Sequence, residues 1–144
     1  MIFMTESQYL LDTCVFIDYL RGKSTAREIL SEIRTTRAQA GYSIITEAEL
    51  WAGITAFRTE AEHIALLKPF NRYFVNVTIA RRAGELYSRV NDLIRGQKGE
   101  QPAGLSDCLI AATADYHALT VWTRNQKHFK HFQHFGINVR FYTL

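Results

Sequence analysis

Cysteine, proline and glycine are all scarce in this sequence of 144 residues, which holds two Cys, two Pro and eight Gly. Two cysteines, Cys14 and Cys108, are too few for a disulfide scaffold and favour a reducing compartment. The low glycine and proline content excludes collagenous and low-complexity chains. No apolar run reaches the roughly 18 residues of a membrane span, and residues 1–6 lack the features of a secretory signal peptide. We therefore expect a cytoplasmic protein without a membrane partner.

Hydrophobic residues make up 47% of the sequence and charged residues 22%, which is typical of a globular protein. This composition excludes a disordered chain, because disorder requires few apolar residues and a high net charge. The length predicts a single domain over residues 1–144 with one core. The net charge of +3 permits a nucleic acid as partner but does not require one.

Short apolar runs alternate with segments of helical periodicity along the chain. The runs predict strands over residues 9–11, 40–45, 74–77, 119–123 and 137–142. The periodic segments predict helices over residues 13–20, 25–36, 46–57, 59–68, 79–95 and 105–117. This alternation predicts an α/β fold in which helices cover both faces of a mostly parallel central sheet.

Three acidic residues stand out by their positions beside predicted strands and helices. Asp12 directly follows the first strand, and Glu49 lies in the first turn of a helix that a capping box with Thr46 would start. Asp107 opens the buried helix after the glycine-rich loop 96–104. Ligand sites of open α/β sheets form at the carboxyl ends of the strands. We therefore expect Asp12 and Glu49 to share that edge, and Asp107 to join them if its helix starts on that side.

Each of these acids also has an ordinary structural explanation. Glu49 completes the capping box, and Asp12 suits a turn. Asp107 interacts favourably with the dipole of its helix, which Ser106 could cap. If the three carboxylates converge, their repulsion raises their pKa values, and a divalent cation relieves it. Oxygen ligands without clustered Cys or His favour Mg²⁺ or Mn²⁺ over Zn²⁺.

Histidines and cysteines offer two further candidate sites. His128, His131 and His134 recur at intervals of three, each followed by phenylalanine. This spacing favours a short helical turn with an aromatic face over a zinc site, which needs a fourth ligand. Cys14 and Cys108 lie close to acids, which raise the pKa of a thiol, so we expect packing residues rather than nucleophiles.

Four segments together resemble the PIN-domain ribonucleases, and among these the VapC toxins of bacterial toxin–antitoxin pairs. They are LLDTCVFIDYL at 10–20, SIITEAELWAG at 43–53, LSDCLIAATA at 105–114 and TRNQKHF at 123–129. No segment is specific alone, but the four occur in the order and at the spacing of the family. The resemblance implies a PIN-like fold of three layers, αβα, and an endoribonuclease that depends on Mg²⁺ or Mn²⁺.

The resemblance also implies roles for individual residues. The catalytic, metal-binding carboxylates of the family are matched by Asp12, Glu49 and Asp107. Its auxiliary polar positions are matched by Thr13, Thr123 and Asn125. Many members carry Asp where this chain has Asn125, and an uncharged ligand would hold a second metal more weakly. The number of metal ions therefore stays open.

The expected reaction is hydrolysis by a metal-activated water that attacks phosphorus in line, leaving 5′-phosphate and 3′-hydroxyl ends. Among the basic residues, Arg124 and Lys127 flank Asn125 and are the favoured candidates for contacts with RNA phosphates. The resemblance further implies a VapB antitoxin and a homodimer, and it makes transfer RNA a candidate substrate.

Two other functions stay open on the sequence. A PIN-domain nuclease of RNA processing would work without an antitoxin. A degenerate PIN module would bind RNA or protein without cleaving it, and Asn125 in place of an acid is the feature that favours this alternative. A cleavage assay with and without EDTA separates the degenerate module from an enzyme.

Overall fold

A computed structural model of the chain describes residues 7–36, 39–56 and 58–144. Within these residues, five strands form one parallel sheet in the order β3-β2-β1-β4-β5. The strands are β1 Ser7–Leu11, β2 Gln39–Ser43, β3 Asn71–Tyr73, β4 Thr120–Thr123 and β5 Val139–Phe141. The helices are α1 Thr13–Leu20, α2 Ser24–Thr36, α3 Ile44–Ala52, α4 Glu60–Leu67, α5 Val77–Ile94, α6 Leu105–Tyr116 and α7 Gln126–Phe129, which leads into a 3₁₀ helix at Lys130–Phe135. The predicted α/β fold is confirmed.

Adjacent residues of the central strands point to opposite faces of the sheet, as the period of two along a strand requires. Leu10 and Val121 pack in an apolar cluster with α5 and α6, whereas Leu11 and Trp122 pack in a second cluster with α1 and α2. All four side chains are buried. The sheet is therefore the middle of three layers, and helices cover both of its faces.

The strand order reverses at β1. The chain adds β2 and β3 on one side of β1 and then crosses over to place β4 and β5 on the other side. The helices that follow β1 and β4 pack on opposite faces, since α1 contributes to one apolar cluster and α7 to the other. The carboxyl ends of β1 and β4 thus form the topological switch point, where open α/β sheets bind ligands.

One predicted strand is misplaced because a helix cap occupies its sequence. The strand predicted over residues 74–77 lies instead at 71–73. Asn76 caps α5, and its Oδ1 accepts a hydrogen bond from the amide of Ile79 at 2.8 Å. Such a cap satisfies an amide that the first turn of the helix leaves unpaired, so residues 76 and 77 belong to the helix start.

The capping box predicted at Thr46 is also wrong. The second strand ends at Ser43, whose hydroxyl accepts a hydrogen bond from the amide of Ile45 and caps α3. Helix α3 therefore begins before Thr46, and the hydroxyl of Thr46 is free to contact another element. By contrast, the cap predicted at Thr59 is confirmed, because its side chain accepts from the amide of Glu62.

Helix α6 begins at Leu105 with Gly104 at its N-cap position, so Ser106 is not the cap. Its buried residues confirm the prediction of a central helix. The helix predicted over residues 46–57 is too long, because α3 ends at Ala52 with Gly53 at its C-cap position. The predicted absence of a signal peptide in residues 1–6 lies outside the described residues. In the part of the chain that the structure describes, no helix has both the length and the apolar character to cross a membrane.

Candidate functional site

Asp12 lies at the switch point, directly after β1. Its carboxylate caps α1, with Oδ1 accepting a hydrogen bond from the amide of Thr13 at 2.8 Å. Its backbone amide donates to the carbonyl of Trp122 in β4, which fixes the residue between two strands. The side chain is 5% exposed. The fold thus buries a carboxylate at the edge of the sheet where the sequence predicts a site.

Thr123, the last residue of β4, contacts Asp12 across the switch point. Its hydroxyl donates to Oδ2 of Asp12 at 2.7 Å and accepts from the amide of Asn125 at 3.0 Å. Thr123 is fully buried. The hydroxyl therefore links the buried carboxylate to the turn that carries Asn125.

The charge of Asp12 is destabilised in the folded protein. Burial raises the pKa of Asp12, the hydrogen bond from Thr123 offsets part of this effect, and the negative charge of Asp107 raises the pKa further, to about 6. Asp107, in the first turn of α6, thus acts on the same buried carboxylate. A positive charge at this position would relieve both effects.

Glu49 approaches the same region through Thr13. The hydroxyl of Thr13 donates to Oε1 of Glu49 at 2.8 Å and lies 3.0 Å from the hydroxyl of Thr46. The sequence predicts Glu49 in the first turn of its helix. Because α3 begins at Ile44, Glu49 lies in the second turn instead. It is exposed, unlike Thr13 and Thr46, which are buried.

Asp107 lies in the first turn of α6, as predicted, and contacts α7. Its Oδ2 is 2.8 Å from Nδ1 of His128. The same ring nitrogen lies 3.0 Å from Nδ2 of Asn125. The imidazole of His128 thus stands between the third acid and the auxiliary position that follows β4.

A continuous series of contacts therefore brings together the residues that the sequence singles out. It runs from Glu49 to Asp107 through Thr13, Asp12, Thr123, Asn125 and His128. The carboxylates themselves stay bound to hydroxyl and imidazole groups. Within residues 7–36, 39–56 and 58–144, no group of three or more His, Cys, Asp or Glu side chains is arranged to hold a metal ion.

The two basic residues predicted to contact RNA differ in their surroundings. Lys127 is exposed beside Asn125. Arg124 instead forms a two-pronged ion pair with Asp18, in which Nε and Nη2 lie 2.9 and 3.1 Å from the carboxylate oxygens. A contact between Arg124 and a phosphate would therefore compete with this ion pair.

The Asp18 carboxylate is almost fully buried, with its side chain 1% exposed. The hydroxyl of Tyr142 donates to Oδ2 of Asp18 at 2.7 Å. Burial alone would raise the pKa of Asp18, but hydrogen bonds from Arg124 and Tyr142 outweigh it and hold the pKa below its ordinary value. The three residues anchor the segment after β4 to α1 and to the end of the chain.

The cysteines have the character that the sequence predicts. Burial and the charge of Asp12 raise the pKa of Cys14 to about 11, and burial with Asp107 raises that of Cys108 to about 12. Neither thiol is activated as a nucleophile. Cys108 is buried in the core, whereas Cys14 is only half-buried.

The three histidines do not form a site of their own. They lie on α7 and the 3₁₀ helix, a helical turn whose Phe129 and Phe132 are buried, as predicted. His131 pairs with Glu100, and His134 is exposed. The contact of His128 with Asp107 is the part of the site that sequence reasoning missed. Its only signal is that His128 follows Asn125 by three residues, about one helical turn.

Comparisons with known proteins show which family the chain belongs to. The model of the PIN domain family matches residues 9–134. Ribonuclease VapC10 of Mycobacterium tuberculosis is 38% identical over 125 residues, which cover 86% of this chain and 87% of that protein. Ribonuclease VapC1 of Methanocaldococcus jannaschii is 28% identical over 134 residues, which cover 93% of this chain and 88% of that protein.

Solved structures show the same relationship. A toxin–antitoxin complex from Klebsiella pneumoniae contains a chain with 29% identity and a TM-score of 0.69, covering 84% of this chain and 89% of that one. DNA-bound VapBC from Salmonella typhimurium contains a chain with 19% identity and a TM-score of 0.75, covering 94% and 98%, which supports the fold alone. From its match to the family model and its identity to the VapC ribonucleases, the chain belongs to the PIN domain family.

Proposed function

We propose that the protein is an endoribonuclease toxin that hydrolyses RNA at the switch point of its sheet and is neutralised by a cognate antitoxin. Its relatives named ribonuclease VapC and the toxin–antitoxin complex from Klebsiella pneumoniae support this function. The observation that carries it is the buried carboxylate of Asp12, whose charge is destabilised by burial and by Asp107. A group of this kind suits a site that accepts a cation.

The donor set fits a hard divalent cation. Asp12, Glu49 and Asp107 offer carboxylate oxygens, the ligands that Mg²⁺ and Mn²⁺ prefer. In this proposal the three acids hold Mg²⁺ or Mn²⁺. A divalent cation supplies polarisation of the scissile phosphate and a water of lowered pKa when it is bound.

The protein's own side chains then orient the carboxylates and contact the RNA. Thr13 and Thr123 hold the carboxylates of Glu49 and Asp12 through their hydroxyl hydrogens. Asn125 contributes an uncharged amide, so we propose that it orients groups near the scissile bond rather than holding a second metal tightly. Lys127, exposed beside it, is the proposed phosphate contact.

Hydrolysis in this proposal needs no protein nucleophile. Water attacks phosphorus, and the 3′ oxygen leaves, so the cut ends carry a 5′-phosphate and a 3′-hydroxyl. The proposal includes a single domain over residues 1–144, a cytoplasmic location, a VapB-type antitoxin and a homodimer. Transfer RNA is the first substrate to test.

The decisive experiment compares wild type with Asp12→Asn on a pool of RNA, with Mn²⁺ and with EDTA. Asn is as good an N-cap as Asp, so this variant keeps the cap of α1 while it removes the charge. We expect Asp12→Asn and EDTA each to reduce the cleavage rate by at least 100-fold, a loss of roughly 3 kcal/mol of transition-state stabilisation. Mapping of the cut ends tests the predicted 5′-phosphate.

Asp92→Asn is the matched control, because Asp92 is an exposed acid near the end of α5 that forms an ion pair with Arg95. It should cut RNA at the rate of the wild type. Full activity of Asp12→Asn, or equal cleavage with EDTA, would contradict the proposed function. Binding of RNA without any cleavage would favour the degenerate PIN module instead.

A further inference from the structure

His128 contacts two of the candidate site residues through one ring nitrogen. Its Nδ1 lies 2.8 Å from Oδ2 of Asp107 and 3.0 Å from Nδ2 of Asn125. The side chains of His128 and Asp107 are 27% and 20% exposed, so water has limited access to the contact. The neighbouring Phe129 is fully buried in the core and fixes the position of the helical turn.

In a neutral imidazole, Nδ1 either carries a hydrogen and donates or carries a lone pair and accepts. It can therefore form a hydrogen bond with only one of these two partners. If Nδ1 carries the proton, it donates to the carboxylate of Asp107. If Nδ1 is unprotonated, it accepts from the amide of Asn125 and faces Asp107 with a lone pair. The first arrangement is the stronger, because a hydrogen bond to an ionised acceptor is roughly twice as strong as one between neutral groups.

We propose that His128 is a positioning residue that donates its Nδ1 hydrogen to Oδ2 of Asp107 and fixes the direction of that carboxylate. Oδ1 of Asp107 then stays available to a metal ion. Carboxylates that ligate metals are held in this way by hydrogen bonds from a surrounding layer of residues. The role toward a metal rests on the proposed function, whereas the hydrogen bond itself does not.

The sequence order supports the same assignment. His128 follows Asn125 by three residues on the turn that begins after β4, and its ring contacts the side chain of Asn125. Asp107 lies in the first turn of a different helix, α6, and contacts the same ring. His128 therefore couples the third acid to the strand end that also holds Thr123 against Asp12.

The first test determines the tautomer of His128 in the metal-free protein. Long-range ¹H–¹⁵N correlation spectra at a pH where the ring is neutral distinguish a proton on Nδ1 from one on Nε2. We expect the Nδ1–H tautomer for His128. The Nε2–H tautomer would overturn the proposal, because Nδ1 could then not donate to Asp107. His134, which is exposed, serves as the internal reference for an unconstrained ring.

The second test measures Mn²⁺ binding by titration calorimetry. We expect His128→Ala to weaken Mn²⁺ binding 10- to 100-fold, the usual effect of losing such a partner. His128→Asn should restore most of the affinity, because its amide nitrogen can occupy the position of Nδ1. His134→Ala, a matched change at an exposed histidine of the same segment, should bind Mn²⁺ like the wild type.

The two proposals fail in distinguishable ways. A wild type that binds no Mn²⁺ would contradict the proposed function. A wild type that binds Mn²⁺, together with a His128→Ala variant of equal affinity, would overturn the role of His128 alone. Thermal unfolding of each variant checks that a change in affinity does not come from loss of the fold.

Discussion

Asp12 stabilises the fold through its hydrogen bonds and destabilises it through its buried charge. Its carboxylate caps α1 and accepts a hydrogen bond from Thr123, which stabilises the fold. The same carboxylate is buried and faces the charge of Asp107, so its ionisation is unfavourable. Asp12 therefore binds its proton more tightly in the folded protein than in the unfolded chain, where its pKa has the ordinary value of 3.8.

The sign of this shift predicts the pH dependence of stability without metal. Between pH 4 and 6 the unfolded chain has lost the Asp12 proton while the folded protein retains it, so the free energy of unfolding falls as the pH rises. Asp12→Asn removes this penalty. We expect it to raise the free energy of unfolding at pH 7 by about 1 to 3 kcal/mol, with no gain near pH 3.5.

Chemical denaturation in EDTA at both pH values measures this effect. Asp92→Asn, at an exposed position, should give the same stability as the wild type at each pH. If Asp12→Asn lowers the free energy of unfolding at pH 7, the charge of Asp12 does not destabilise the fold, and the account of its environment is wrong.

Helix and strand boundaries show which parts of the fold local sequence patterns can predict. The strands at β1, β4 and β5 and the helix after β1 follow the predicted positions, because apolar runs and turn residues define them. The third strand and the start of α3 do not, since Asn76 and Ser43 are helix caps that lie within strand-like sequence. Both residues form caps only when the following turn is helical, so a strand pattern hides them.

Two glycines provide a test of the elements around the site. Gly41 lies in β2 against β3, and a Cβ atom there would be 2.8 Å from the carbonyl oxygen of Asn71 and would meet the ring of Tyr73. Gly84 lies inside α5, and an added Cβ would have no atom within 4 Å apart from its chain neighbours and the adjacent backbone of its own helix. We expect Gly41→Ala to reduce the free energy of unfolding by about 1 to 3 kcal/mol.

Gly84→Ala should have the opposite sign and add about 0.5 to 1 kcal/mol, because alanine loses less backbone entropy in a helix. Urea unfolding of the two variants gives both values. A Gly41→Ala variant as stable as the wild type would show that β3 packs less closely on β2 than the structure describes.

At the scale of the whole molecule, the strand order determines which distant residues meet in the site. The reversal of strand order at β1 places Asp12 beside Thr123, although 111 residues separate them. The sequence predicts this edge because Asp12 ends an apolar run. It does not predict the partners of Arg124 or His128, since those contacts depend on how helices from distant parts of the chain pack.

A crystal structure with Mn²⁺, located by its anomalous scattering, tests the central claim most directly. The account predicts one Mn²⁺ ion at the carboxyl ends of β1 and β4, with oxygen ligands from Asp12 and Asp107 and with Glu49 bound directly or through water. An Asp12→Asn crystal grown alongside should lack most of this signal. Manganese held elsewhere, with the three carboxylates bound as they are in the metal-free chain, would contradict the account.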